Sequence, residues 1–384
     1  MYKAYKFRMY PNNEQRNKLN SFIGTSRFIY NYYLERKISM YKELKTTYSL
    51  KDMKKDLVPL QEEYEWLKDC DSCILRTSLE DLDSAYESFF KLNSGFPRFK
   101  SRRSRNSYRI NCIRSSYKNS SYSNIKVDLE NCLIKLPKIS NIKIKGYRNL
   151  KEFNKKIINA TISKEAGRYY VSVLVEEDDL IREDNASGAI GFDLGIKDLV
   201  ITSDGIKYNK MYFIERMEKR LKGLQKALSR SKKDSNNRNK LILKIQRLYL
   251  KIRNARKYYT HKITSQIVKE NHFIFTEDLS VKDMLQNSSH KLSHHIQNSA
   301  FRMILNELEY KCKWNKKIFI KVNKYFPSSK LCGRCCNKYE ELELNERKWE
   351  CKYCGCINDR DLNASINILF EGMKMYYKRM ERYE

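Results

Sequence analysis

Side chains alternate between polar and apolar from Tyr2 to Met9, which predicts a strand, and Pro11 ends it. The period then changes. From Asn13 to about Ser94 the pattern is helical, with Phe22, Phe28, Ile29 and Tyr33 near one helical spacing and Leu79, Leu82 and Tyr86 near another. Gly95-Phe96-Pro97-Arg98-Phe99-Lys100 breaks the helices. Short strands are predicted at Leu133–Leu136, Ile142–Ile144, Ile157–Ile162 and Arg168–Val175. Lys118-Asn119-Ser120-Ser121 reads as a loop. The first 185 residues therefore read as a small β unit with a helical bundle inserted after its first strand.

A second pattern begins with Ala189-Ile190-Gly191-Phe192-Asp193-Leu194-Gly195, followed by Asp198–Thr202, the turn Ser203-Asp204-Gly205 and Ile206–Tyr208. This is a β-meander with tight turns. Residues 210–270 predict a helical hairpin, with one stripe of Leu221, Leu224 and Leu228 and a second of Leu241, Ile245, Leu248 and Ile252. Its turn lies at Lys232–Asn237. His272–Thr276 is a buried-type strand with Glu277 at its end, a helix is predicted over His295–Lys313, and Phe319–Val322 is a strand. The fold class is α/β with several domains.

Composition narrows the function. The 384 residues carry 77 Lys and Arg against 46 Asp and Glu, a formal net charge of +31. Such an excess calls for a polyanion to relieve self-repulsion, and nucleic acid is the default partner. No apolar run is long enough to cross a membrane, and Met1–Tyr10 is basic and aromatic, unlike a secretory signal. A reducing cell interior follows as the expectation. There, the 11 Cys argue for metal binding or free thiols and against disulfides.

Six of those cysteines fall within residues 331–356. Cys332-x-x-Cys335 and Cys351-x-x-Cys354 are separated by fifteen residues, the spacing of a structural zinc ribbon with four thiolate ligands. Each pair brings two thiolates to one tetrahedral ion, and Leu342–Trp349 is long enough for a β-hairpin between the knuckles. With four protein ligands the site is closed, so it stabilises the fold and does no hydrolysis. Cys336 and Cys356 could each replace a neighbour, or be spare thiols packed nearby. Cys70 and Cys73, without partners, read as helix packing.

Three acidic residues need more than a bland explanation. Asp193 interrupts an apolar strand, where a carboxylate must be paired or bind a cation. Glu277 ends another strand, and Asp361 opens a helix in Asn358–Ile368. Each alone has an ordinary reading: a turn residue for Asp193, a surface acid for Glu277, a helix cap for Asp361. Together, two strand ends and one helix N-terminus could converge three carboxylates from segments 84 residues apart in each case. Such a cluster can hold two divalent cations about 4 Å apart for phosphodiester hydrolysis. Mg2+ suits the hard oxygen ligands, with Mn2+ as a substitute. Asp198, Asp278 and Asp359 read as neighbours or solvated acids.

At this point three motifs resemble those of the RuvC-like nuclease in the TnpB (OrfB) family, insertion-sequence proteins related to the type V CRISPR effectors. They are Gly191–Lys197, Thr276–Lys282 and Asp359–Asn367. Tyr325–Lys330, leading into the first knuckle, and Lys3–Pro11 and Phe96–Lys100 resemble further family signatures. The resemblance implies an RNase H-like RuvC nuclease domain carrying a helical hairpin and a zinc ribbon. A wedge-type β-barrel would be formed by residues 1–10 and 95–185, with residues 11–94 as its inserted recognition bundle. Residues 186–330 and 357–384 would form the nuclease domain and 331–356 the ribbon. It implies a guide RNA that directs cleavage of double-stranded DNA in a bacterial-type cell interior, near the nucleoid. By position, Asp193, Glu277 and Asp361 take the catalytic and Mg2+-binding roles, and Cys332, Cys335, Cys351 and Cys354 hold Zn2+. Cys336 departs from the family, which usually has Gly there.

Basic residues interleave with aromatics in Tyr2–Tyr10, in Phe99–Arg105 and at Arg253, Arg256, Lys257, Tyr258 and Tyr259. Such groups bind phosphates without regard to sequence and can stack on unpaired bases. Two other functions remain open on the sequence: a conventional transposase with a similar acidic triad, and a zinc-ribbon nucleic-acid binder whose acids are structural.

Overall fold

The computed structural model describes residues 2–117, 120–146, 156–177, 187–343 and 346–381. The chain divides into two compact units, Met1–Leu180 and Ile181–Glu384.

The first unit is built on β1 (Tyr2–Tyr10), which buries Tyr5, Phe7 and Met9 on one face as its alternation requires. Helices α1 (Asn13–Leu44), α2 (Leu50–Glu63) and α3 (Ser72–Leu92) follow, with a 3-10 turn at Glu65–Asp69. Asn12 and Gln15 close a reciprocal capping box on α1, at 2.8 and 2.9 Å. The remaining strands are β2 (Asn106–Asn111), β3 (Arg114–Tyr117), β4 (Ser120–Ser123), β5 (Lys126–Asp128), β6 (Leu133–Leu136), β7 (Ile139–Lys145), β8 (Lys156–Glu165) and β9 (Arg168–Glu176). Among the described residues, seven strands form one antiparallel sheet in the order β2-β8-β9-β1-β7-β6-β5, while β3 and β4 pair as a separate hairpin. β2, β3 and β4 escaped the sequence pattern because their Ser and Asn residues mimic loop composition, and β5 because three residues are too few to show a period. Ser120 and Ser121, read as loop, belong to β4; Lys118 and Asn119 lie outside the described residues.

The second unit contains β10 (Gly188–Asp193), β11 (Asp198–Thr202) and β12 (Lys207–Asn209), a meander whose turn uses Gly205 at φ +87°. The helical hairpin follows as α4 (Tyr212–Arg230) and α5 (Asn236–Glu270), and then come β13 (Asn271–Glu277) and the short α6 (Val281–Gln286). The helix predicted over His295–Lys313 is two helices, α7 (His290–Ser299) and α8 (Phe301–Trp314). The break falls at Ala300, whose φ of +57° cannot continue a helix. After β14 (Ile318–Val322), β15 (Lys348–Glu350) and β16 (Ile357–Asp359), α9 (Arg360–Met380) closes the described chain.

The main sheet has the order β12-β11-β10-β13-β14, with β10, β13 and β14 parallel and β11 and β12 antiparallel. One face carries Ile190, Phe192 and Ile274 into a core shared with α4, α5 and α8. The other carries Phe275, Ile320 and Val322 against Ile368 of α9. Two glycines let α9 lie close. A Cβ at Gly191 would stand 2.4 Å from the Ser365 carbonyl oxygen, and one at Gly372 would stand 2.3 Å from the Phe275 ring. No helix among the described residues is long and apolar enough to cross a membrane.

Candidate active site and metal centre

Strand periodicity places the first two acids. Asp193 is two residues beyond Gly191 and Glu277 two beyond Phe275, so both side chains leave the sheet on the α9 side. Phe192 pairs with Thr276 in the parallel ladder, which sets Asp193 and Glu277 side by side at the carboxyl ends of β10 and β13. The strand order reverses between β10 and β13, the place where open α/β sheets gather their sites.

The helix supplies the third acid. Ser365 lies over Gly191, and Asp361 is one turn earlier, toward Asp193. The cap of α9 is Asp359, whose carboxylate accepts from the backbone N–H groups of Asp361 and Leu362, each at 3.2 Å. Asp359 also takes the Lys207 ammonium at 2.9 Å. Asp361 is thus released from capping. Asp278 is exposed and Asp198 partly so.

Glu277 and Asp361 both lie close enough to Asp193 to act on its charge. Burial first, then repulsion from Glu277 and Asp361, pushes the Asp193 carboxyl from its ordinary 3.8 up to about 7, although the Leu194 N–H donates to it at 2.8 Å. Burial also raises Glu277, and a hydroxyl hydrogen bond from Ser328 opposes that rise. Asp361 has another partner: Arg347 Nη1 donates to both its oxygens, at 2.8 and 2.7 Å. The three carboxylates do not close into one tight set. Among the described residues, the four cysteines alone bring three or more ligand atoms all within 4.8 Å of one another.

Those four are Cys332, Cys335, Cys351 and Cys354. Sulfur separations of 3.6 Å occur for Cys332–Cys354 and for Cys335–Cys351. A disulfide would need about 2.05 Å, whereas the edge of a tetrahedron with Zn–S near 2.3 Å is about 3.8 Å. The donor set and its geometry suit Zn2+. The two knuckles match each other. Cys336 N–H returns to the Cys332 carbonyl and Gly355 N–H to the Cys351 carbonyl, both at 2.8 Å. Backbone donation from Asn337 holds the Cys335 thiol down at about 6. The strand pairing differs from the hairpin expected between the knuckles. Among the described residues, β15 pairs with β16 around the second knuckle, and a Leu331–Lys338 bridge flanks the first. Cys336 is exposed and Cys356 packs beside Trp349, both outside the quartet.

The ribbon is tied to α9. Asn363 Nδ2 donates to the Leu331 carbonyl at 2.6 Å, and its Oδ1 accepts from Gly333 N–H at 2.8 Å. One turn on, Asn367 donates to the carbonyls of Ser328 and Leu331 at 2.7 and 2.8 Å. Ser328 and Arg347 reach two of the acids; Ser328 lies in the Tyr325–Lys330 signature, but nothing in the sequence joins it to Glu277, and Arg347 carries no signal at all. Only the fold brings them there.

Comparison with known proteins agrees with this architecture. Residues 171–288 match the OrfB_IS605 family, described as "Probable transposase", and residues 301–368 match "Cas12f1-like, TNB domain". A protein of Streptomyces pristinaespiralis named "Putative RNA-guided DNA endonuclease" is 33% identical over 97% of this chain and 89% of its own length. The chain belongs to the TnpB (OrfB) family. InsQ of Escherichia coli K12, with the same description, is 30% identical over 96% of the chain and 92% of its own. A solved Cas12f1–sgRNA–target DNA complex superposes with a TM-score of 0.52, covering 96% of this chain and 98% of that one at 12% identity, which shows a shared fold. Residues 1–46 match a family described as "Helix-turn-helix domain". In this TnpB-family chain that stretch is one strand and one 32-residue helix.

Proposed function

We propose that this chain is the RNA-guided DNA endonuclease of an insertion sequence, with Asp193, Glu277 and Asp361 as the acids that hold its divalent cations. The carrying observation is the pair Asp193 and Glu277 on neighbouring strand ends, facing the helix that bears Asp361. Relatives named as RNA-guided DNA endonucleases, matched along most of their length, support the activity. The shared Cas12f1 fold supports guide RNA and double-stranded DNA as partners.

In this reading the second unit is an RNase H-like RuvC nuclease and the sheet of the first is the wedge-type barrel, with residues 11–94 as its recognition bundle. The excess charge of +31 fits a chain that works covered by RNA in a bacterial-type cell interior. The acids fit hard cations. They are oxygen donors, and burial together with the charges of Glu277 and Asp361 pushes the Asp193 carboxyl up to about 7, a cost that a bound cation would offset. Bound Mg2+ would supply an activated water and charge neutralisation at the leaving oxygen. The chain's own part is to fix three carboxylates on rigid elements, orient Glu277 through Ser328, and restrain Asp361 through Arg347 until a cation competes for it. Arg347 belongs to the ribbon segment, so the Cys quartet positions a charge that reaches the acids.

The test is cleavage of plasmid DNA by protein purified with its bound RNA, in Mg2+ or Mn2+. Asp193→Ala, Glu277→Ala and Asp361→Ala should each abolish cutting. Full cleavage by any one of them removes that residue from the site. One observation favours a second reading, a nucleic-acid binder with structural acids: the closed Arg347–Asp361 pair. That reading requires all three variants to bind RNA and DNA normally and the wild type to cut neither. No feature of the described residues favours a conventional transposase.

A further inference from the structure

The end of α3 and the loop after it expose three aromatic rings and a leucine. Phe90, Leu92, Phe96 and Phe99 are 73%, 76%, 47% and 55% exposed. Phe90 and Phe96 are held by other rings, and Phe99 is flanked by a buried Pro97 and an anchored Lys100. Phe96 meets Tyr86 and Phe89 edge-on, with centroids 5.6 and 5.4 Å apart, and Phe90 lies nearly parallel to Tyr86 at 6.4 Å. Pro97 is buried. Asn31 grips Lys100 through both its backbone groups, at 2.9 and 2.8 Å. The Lys100 ammonium sits 3.6 Å above the Tyr30 ring. Arg102 and Arg103 follow on a turn stapled by Ser101 and Ser104.

Soluble proteins seldom leave a fixed aromatic patch open without a partner. Charge identifies the partner. Between Glu87 and Asp128 the sequence has no acidic residue and ten Lys and Arg. Arg98, Arg102, Arg103 and Arg105 make no ion pair among the described residues, and all four are exposed. Rings fixed among free guanidinium groups suit a polyanion that also presents flat π-faces. A second copy of this chain, carrying the same positive loop, would be repelled. Duplex DNA shows no base face until it is opened, whereas a structured RNA has unpaired loops and ends.

We infer that Phe90, Phe96 and Phe99 form a stacking platform for unpaired nucleotides of the bound RNA, with Arg98, Arg102, Arg103 and Arg105 holding the adjoining phosphates. The inference rests on the RNA-binding part of the function proposed above and assigns it a place.

The test compares the full chain, freed of copurified nucleic acid, with Phe90→Ser/Phe99→Ser and Arg102→Gln/Arg103→Gln. The probes are a fluorescent single-stranded RNA and the same strand made abasic. Stacking contributes a factor of roughly ten or more per base. The Phe variant should therefore bind the RNA at least ten-fold more weakly, lose most of its preference over the abasic strand, and keep the salt dependence of the wild type. The Arg variant should keep that preference while its salt dependence becomes shallower, by roughly 0.7 in log–log slope for each phosphate no longer neutralised. Equal RNA affinity in wild type and Phe variant overturns the platform and leaves RNA binding standing. No RNA binding by the wild type at low salt overturns both. Sedimentation as a dimer without RNA, reverting to monomer in the Phe variant, would assign the patch to a second copy and also overturn it.

Discussion

Ser328 donates its hydroxyl to a carboxylate oxygen of Glu277, and α9 holds Ser328 in place from the other side, where Asn367 donates to its carbonyl at 2.7 Å. Glu277 is raised by burial, and this hydrogen bond is what opposes the rise. A bond to an ionised group contributes about 1.5–3 kcal/mol. Ser328→Ala should therefore move the acidic limb of the cleavage profile to higher pH and raise the Mg2+ concentration needed for half-maximal rate. Ser328→Thr should restore both. An unshifted pH profile in the Ala variant would show that Ser328 serves only the loop.

Asp193 predicts a stability effect that needs no substrate. Folded, it keeps its proton to about pH 7; in an unfolded chain it would lose it near 3.8. Between those values the folded state holds the extra proton, so stability falls as pH rises through the window. At pH 8 the penalty is on the order of 2–4 kcal/mol, and at pH 3.5 it is nearly gone. Asp193→Asn should match the wild type in urea titrations at low pH and exceed it at pH 8. Added Mg2+ should raise the melting temperature of the wild type at pH 8 and leave Asp193→Asn unmoved. Equal pH dependence in the two proteins would mean that Asp193 is not charged against its surroundings.

Regular patterns made much of this legible from sequence. The alternation in β1, the stripes of α4 and α5 and the apolar run of β13 each record one buried face, and each element lies close to where its pattern puts it. The cysteine quartet was readable because knuckle geometry fixes spacing. What stayed hidden was either non-periodic or non-local. β2 to β5 are short and held by neighbouring strands, and β2 to β4 are rich in Ser and Asn. The Ala300 break depends on a backbone angle that Ala rarely adopts. Neither the Ser328–Glu277 hydrogen bond nor the Arg347–Asp361 pair leaves a sequence signal, because tertiary packing alone joins them.

The closeness of α9 to the sheet can be tested at its two glycines. Gly372→Ala drives a methyl into the fully buried Phe275 side chain and should cost about 1–3 kcal/mol in urea titration. Phe275→Leu should recover part of that loss in the double variant. Gly191→Ala meets backbone, with the Leu369 nitrogen 2.5 Å from the new Cβ, so trimming a side chain cannot relieve it. It should destabilise at least as much and, by lifting Asp361 from Asp193, lower cleavage further than Gly372→Ala at matched folded fraction. A Gly191→Ala protein as stable as wild type would contradict the close packing.

Cys336 and Gly355 occupy equivalent places after the two knuckles, at φ +60° and +65°. Glycine takes that backbone freely, whereas a residue with a Cβ is strained by roughly 1 kcal/mol. Cys336 is exposed and outside the metal quartet, so its sulfur offers the fold little in return. Cys336→Gly should therefore slow zinc loss to a chelator and raise the melting temperature slightly, with one equivalent of zinc still bound. Gly355→Ala should do the reverse at the second knuckle, and Cys351→Ser should lose the ion. If Cys336→Gly instead released zinc faster, Cys336 would be contributing to the ion's retention and the assignment of four ligands would have to be revised.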